Sequence, residues 1–351
     1  MPRRIPPRAT SSRKKQHVDL TLTRSVGFRA KTTGLEELDF VHNALPELNL
    51  AEVDPSVRFL GHTVSLPIMV SCMTGGYREA LRINREIAEV CADLRIAMGV
   101  GSQRQALEST EFHRTFSVVR DVAPAIPVIG NIGAAELARM TGADQARRLV
   151  ELVRADALAV HLNPLQEFLQ PEGNPNFRGV LAGIAMLVRE LPVPVIAKEI
   201  GAGISHDVAL RLLEAGVRYI DVAGAGGTSW AGVELLRRRA GDRTMSFWDW
   251  GIPTAEALRQ TVRLREKVPE LTIIASGGIG SGMDIAKCIA LGADIVAAAR
   301  PMLQALERGK QNALRALIAS WGDELRGAMF LTGSRTLPDL RRTTLTSRAQ
   351  R

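Results

Sequence analysis

The chain has 351 residues, 46% apolar and 4% aromatic, with a formal charge of +8, which suits one large domain or two ordinary ones. No apolar run reaches the roughly 18 to 20 residues of a membrane helix and no signal peptide leads the chain, so a soluble cytoplasmic protein is expected. Much of the excess charge lies in "PRRIPPR", "SSRKKQ" and "LRRTTLTSR", and aromatic residues are too few for base-stacking platforms, so a basic entrance for a small anionic ligand is favoured over nucleic acid.

Residues 1–66 form a leading segment, a basic arm followed by "FVHNALPELNL". From Pro67, short apolar runs alternate with segments of helical period, the pattern of βα units. The predicted strands cover 67–74, 95–102, 127–133, 157–163, 194–200, 219–228, 271–278 and 294–301. Eight strands with helices between them fit a (β/α)8 TIM barrel with an N-terminal extension, its barrel spanning 67–330. A doubly wound open sheet has the same local pattern, but here polar residues gather at the C-terminal ends of nearly all eight runs, and a barrel brings those ends to one face. Residues 331–351 form a basic tail, and beyond Pro338 it is expected to lack fixed structure. Cys72, Cys91 and Cys288 include no C-x-x-C pair, which argues against a disulfide framework and a thiolate metal cage.

The strand ends carry the chemistry. "CMTGGY" closes the first with Thr74-Gly75-Gly76, where backbone can approach a flat ligand; "GVGSQR" closes the second with Ser102, Gln103 and Arg104, and "GNIG" the third with Asn131. The fourth leads into "HLNPLQEFLQPEGN", with His161, Asn163, Gln166, Glu167 and Glu172 in twelve residues, more polarity than a turn needs. "AKEIG" places Lys198 at the end of the fifth, where it could form a Schiff base, face an electron-rich ring, or pair with Glu199 or another acid. Glycine-rich turns follow the sixth and seventh strands, "GAGGTSW" with Thr228 and "ASGGIGSGMD", the latter running straight into a helix. That arrangement suits a phosphorylated cofactor, and FMN fits because Lys198 could serve its ring.

Together "RKKQH", "HNALPEL", "MTGG", "VGSQR", "HLNPLQE", "PEGN", "KEIGAGIS", "DVAGAGGTSW", "WGIPT" and "SGGIGSG" resemble the type 2 isopentenyl-diphosphate isomerases, in order from Arg13 to about Pro301. The resemblance implies interconversion of isopentenyl and dimethylallyl diphosphate with reduced FMN, Mg²⁺ and NADPH or NADH as reductant, in a homotetramer or homo-octamer. It implies that Met73, Thr74, Gly75, Ser102, Asn131, Lys198 and Thr228 contact FMN, with its phosphate at Gly278, Ile279, Gly280, Ala299 and Arg300. Arg13, Lys14, His17, Ser102, Gln103, Arg104, Asn163 and Gln166 would bind substrate, with His161 beside them, and Glu167 would hold the metal. Catalysis would fall to Gln166, Lys198 and His161. The sequence departs from the family's common pattern at Asn174 and at Gly280, where Asp and Arg are frequent.

An unactivated alkene is a weak base, so a proton donor must be strong or closely aligned. Gln166 is a poor acid, and no Cys and Glu pair stands ready for a metal-only route, which leaves the flavin as proton carrier. Glu172 reads as a solvated loop acid, and Trp230 and Trp248 as core or interface residues. An FMN-dependent 2-hydroxyacid oxidase would need a His near the last strands, where "ASGGIGSG" has none. A non-catalytic phosphate-binding barrel would leave Lys198, Gln166 and Glu167 unexplained.

Overall fold

Side chains alternate in direction along a strand, and in this chain the two directions carry different residues. The structure, a computed structural model, describes residues 7–238 and 243–348. Its eight parallel barrel strands are β1 (Ile68–Val70), β2 (Ala97–Gly99), β3 (Val128–Gly133), β4 (Ala157–Leu162), β5 (Val195–Glu199), β6 (Tyr219–Asp221), β7 (Thr272–Ser276) and β8 (Ile295–Ala298). Each pairs with its neighbours in sequence, and β8 pairs with β1 to close the ring. All eight lie within the predicted runs, and every predicted run but the third continues past the observed strand into the loop at its C-terminal end.

One alternating set, including Val70, Met98, Val128, Val160, Ala197, Val222, Ala275 and Val296, packs outward against the helices in the main core. The other set, Met69, Ala97, Ile129, Ala157, Ala159, Ile196, Ile274, Ile295 and Ala297, fills the barrel interior, capped from below by Phe59 and Val64 of an antiparallel hairpin. Continuing the inward set upward by two residues gives Asn131 after Ile129, His161 after Ala159 and Lys198 after Ile196. The interior is therefore apolar below and polar above.

The helices after β5, β6 and β7 each begin at a serine, Ser205, Ser229 and Ser281, whose side chain accepts an amide hydrogen of the first turn, a stabilising cap. The basic arm forms a helix, Pro7–Thr23. It packs on the barrel of its own chain: Lys14 Nζ donates to Gly75 O at 2.8 Å and to Ser102 O. Arg300 donates to Thr21 O and Arg24 O, fastening the end of the arm helix.

The tail departs from expectation. Leu337–Arg341 is helical, and Leu345–Ser347 pairs antiparallel with Leu38–Phe40 of the leading segment. Pairing with a strand at the other end of the chain orders residues whose composition alone suggested none.

Candidate active site

His161, Lys198 and Asp221 are register partners across β4, β5 and β6, so their side chains form one row facing the mouth. Lys198 Nζ donates to Asp221 Oδ2 at 2.7 Å, and Asp221 Oδ1 accepts from Ser276 Oγ on β7. The acid that meets Lys198 is thus Asp221 rather than Glu199. Glu199 follows Lys198 by one residue and points outward, where its Oε2 accepts amides from Ile200, Gly201 and Ala202. Burial pushes the Glu199 carboxyl up to about 7, against the pull of those amides and of Lys198.

His161 Nδ1 lies 2.9 Å from Asn131 Oδ1. Burial, with Lys198 and Lys14 adding repulsion, lowers its pKa to about 3, so the ring is neutral at physiological pH. The Cys72 thiol, against Gly99 of β2, is pushed up to about 12 by burial, and a thiol of that kind is inert as a nucleophile at neutral pH.

The loop after β4 turns into a short helix, Pro164–Leu169, started by proline at its first position, where proline costs no hydrogen bond. Gln166 and Glu167 stand one turn beyond Asn163. Asn163 Nδ2 donates to Gln166 Oε1 at 3.0 Å and to Glu167 Oε1 at 3.1 Å, and Asn174 N donates to Glu167 Oε2 at 2.6 Å. A Cβ on Gly173 would lie 2.0 Å from Glu167 O, so the "PEGN" turn needs its glycine for close approach. Glu172 is not merely solvated: Arg237 binds both its oxygens.

Across the mouth, Gln166 Nε2 donates to Glu234 Oε1 at 3.1 Å, and His17 Nε2 from the arm lies 2.8 Å from the same oxygen. Trp230 meets the His17 ring edge-on at 5.3 Å, while Trp248 is buried. Burial lowers the pKa of His17 although Glu234 raises it. Lys14 is lowered to about 7 by burial, with Arg13 next in effect. Arg104 pairs with Glu108 at 3.0 Å and Glu136 at 2.8 Å. The Arg13 Nε and Asn163 Oδ1 atoms are buried with no hydrogen-bond partner, an arrangement that costs free energy unless a ligand completes it.

Gln103 stands apart from the other sequence-predicted residues. It is fully buried, and its side chain bridges Leu149 O and Asn131 N, both at 2.9 Å. This commits its amide to the barrel wall. Asp221, Glu234, Glu136 and Arg237 were missed from sequence. For Asp221 a signal existed, a lone acid in the apolar run "YIDVAG"; for the others, contact across loops was needed.

At the strand ends expected to contact flavin, Thr74 donates to Asn84, and Gly75 sits at φ +148° with the Phe116 ring against it. The turns after β6 and β7 touch backbone to backbone, since a Cβ on Gly227 would lie 2.4 Å from Gly278 N. Thr228 bridges Gly27 of the leading segment. The helix after β7 does not present its first amides freely: Gly282 N and Met283 N donate to Glu324, and Gly280 N to Asp284. Among the described residues no group of three or more His, Cys, Asp and Glu forms a metal cage.

The family model for FMN-dependent dehydrogenases matches residues 134–347. An isopentenyl-diphosphate delta-isomerase of Chlorobaculum parvum is 49% identical over 95% of this chain and 96% of its own length. One from Methanothermobacter thermautotrophicus is 46% identical over 95% of this chain and 92% of its own. Among solved structures, a lactate oxidase of Pediococcus acidilactici superposes with TM-score 0.69 at 15% identity, covering 98% of this chain and 95% of its own. A mandelate oxidase gives 0.67 at 18%, covering 97% and 98%; at such identities these two speak for the fold alone. With near-full-length identity to the isomerases and an FMN-dependent family model over most of the barrel, the chain belongs to the FMN-dependent, type 2 isopentenyl-diphosphate delta-isomerases.

Proposed function

We propose that this protein interconverts isopentenyl and dimethylallyl diphosphate with FMN kept reduced by NADPH or NADH and with Mg²⁺ on the diphosphate. The observation that carries this reading is the amide of Gln166, held between Asn163 and Glu234 at the barrel mouth. Shifting a double bond requires adding one proton and removing another with no net oxidation, and alignment governs both. Bound in the reduced form, the flavin supplies acid–base chemistry at its ring nitrogens.

Around that chemistry each residue has a task. Lys198, fixed by Asp221, places a cation against the electron-rich ring. Met73, Thr74, Gly75, Ser102, Asn131 and Thr228 would supply the bed for the ring, and the glycines at 75 and 227 let the Phe116 ring and the backbone of Gly278 pack close beneath these turns. Because the amides of Gly280, Gly282 and Met283 already have protein acceptors, the cofactor phosphate falls to the turn at Gly278 and Ile279 and to the start of the next helix at Ala299 and Arg300. Gln166 orients the alkene or relays a proton toward Glu234, and neutral His161 holds Asn131.

Glu167 suits Mg²⁺, which takes one or two carboxylates and completes its shell with phosphate oxygens and water. The unpartnered Asn163 Oδ1 beside Glu167 supports such a shared site. Arg13, Lys14 and Arg104 neutralise the remaining charge, arginine by its planar fork and lysine as a point charge. His17 closes the pocket from the arm. Cytoplasmic location and assembly as a homotetramer or homo-octamer belong to the same proposal.

The test is to purify the protein, load it with FMN, reduce it without oxygen, and assay isopentenyl diphosphate with and without Mg²⁺. Turnover is expected only in the reduced state, and Glu167→Gln should raise the Mg²⁺ requirement sharply. A colourless protein, or one that consumes oxygen with 2-hydroxyacids, would contradict the reading. If Glu172→Gln abolished the Mg²⁺ dependence and Glu167→Gln left it intact, the metal assignment would be wrong.

A further inference from the structure

We propose that Arg237 is a positioning residue for Gln166, acting through Glu234 and joining three separate elements over the mouth. Its guanidinium, with a side chain only 8% exposed, has a partner on each element. Nη1 donates to Glu234 Oε2 at 2.6 Å on its own helix, Trp230–Arg237. Nη2 reaches Glu172 Oε1 at 3.1 Å and Oε2 at 3.2 Å in the loop after β4, and Nε points to Gln16 Oε1 of the arm at 3.4 Å. A planar fork with five donors can serve acceptors in three directions, and an ammonium on a flexible stem cannot hold the same geometry.

The consequence reaches the reacting side through Glu234, whose side chain has no exposure to solvent. A carboxylate so placed is tolerated only with a compensating cation. Burial pulls its pKa upward, yet His17 and Arg237 together hold it below the ordinary carboxylate value. A charged Glu234 accepts and cannot donate, so it requires the N–H end of the Gln166 amide. The Asn163 amino group requires the oxygen end. The two demands agree on one of two amide orientations. Without Arg237, Glu234 loses its arginine counter-charge and the bond that fixes Oε2, leaving only His17 and Gln166 at Oε1, and the amide loses its enforced direction.

This inference rests on the assignment of Gln166 to the reaction, and the experiment separates the two. R237M, R237K, E234Q and the double variant R237M/E234Q are compared for kcat, KM for isopentenyl diphosphate, FMN affinity by fluorescence titration, and melting temperature. In R237M, kcat should fall about a hundredfold, the scale of a small misplacement at a reacting centre, while KM and FMN affinity stay near the parent values. R237K, which keeps charge but not the fork, should recover only a minor part. The double variant should be no slower than E234Q alone, because both act through one carboxylate. Retained kcat in R237M, multiplied losses in the double variant, or lost FMN affinity with kcat intact per flavin-loaded molecule would overturn the proposal. If R237M fails to fold, the same division between kcat and KM is read from R237K. Full turnover in E234Q and in Gln166→Leu would instead remove the reading beneath it.

Discussion

At the end of the barrel away from the site, Asp156 and Asp294 stand one residue before β4 and β8, and each has its oxygens filled by protein. Asp156 accepts from Arg120 at 2.6 Å and from Val128 N at 2.7 Å, with His62 at 3.3 Å. Asp294 accepts from Ile273 N and Arg341, both at 2.8 Å, and from Arg265. At the other end, Asp221 and Glu234 are held just as firmly, but their surroundings leave Arg13 Nε and Asn163 Oδ1 without partners. The same residue types therefore serve two ends differently. Below, saturated carboxylates fix where strands begin; above, paired charges stand beside groups whose bonding the protein leaves open.

The sharpest way to break this comparison is Lys198→Met. Turnover should fall at least about a thousandfold, as when a preorganised electrostatic group is removed. Stability should drop by about 3–5 kcal/mol because Asp221 is left charged and buried. Adding Asp221→Asn should restore much of the stability and none of the turnover, as read by urea unfolding and by kcat. Arg120→Met makes the reverse test at the lower end. It should cost about 2–3 kcal/mol through lost bonds to Asp156 and to the carbonyls of Pro124, Ile126 and Arg154, with kcat per flavin-loaded folded molecule unchanged.

Gly75→Ala sharpens the upper side, since its Cβ would fall 2.1 Å from Phe116 Cε1. A loss of about 1–3 kcal/mol is expected from overpacking, together with weaker FMN binding in a fluorescence titration. The pH dependence should be the mildest effect. The folded-state pKa of His161 is lowered to about 3 from an ordinary 6.5, so between those values the unfolded chain binds the extra proton. Stability from this group is complete above pH 6.5 and is lost as pH falls, by about 1.4 kcal/mol one unit lower. His161→Asn should remove that part of the slope in unfolding curves taken across the range.

The barrel was legible because each strand is a short apolar run ending in small or polar residues, and those ends are also where side chains such as Asn131, His161 and Lys198 emerge. Their partners were hidden. Asp221 meets Lys198 only because β5 and β6 pair in that register, and Glu234 meets Gln166 only because two loops converge. The direction of the Gln103 amide was hidden too, since adjacency to Ser102 and Arg104 says nothing about which way a turn sends it. The arm's docking on its own barrel and the strand at Leu345–Ser347 likewise depend on contacts far apart in the chain.

The most direct measurement is proton NMR of isopentenyl diphosphate in deuterated buffer with the FMN-loaded protein, reduced under anaerobic conditions and supplied with Mg²⁺. The account predicts dimethylallyl diphosphate carrying solvent deuterium, with no stoichiometric consumption of reductant. Absence of product, or product formed only as reductant is consumed mole for mole, would contradict it.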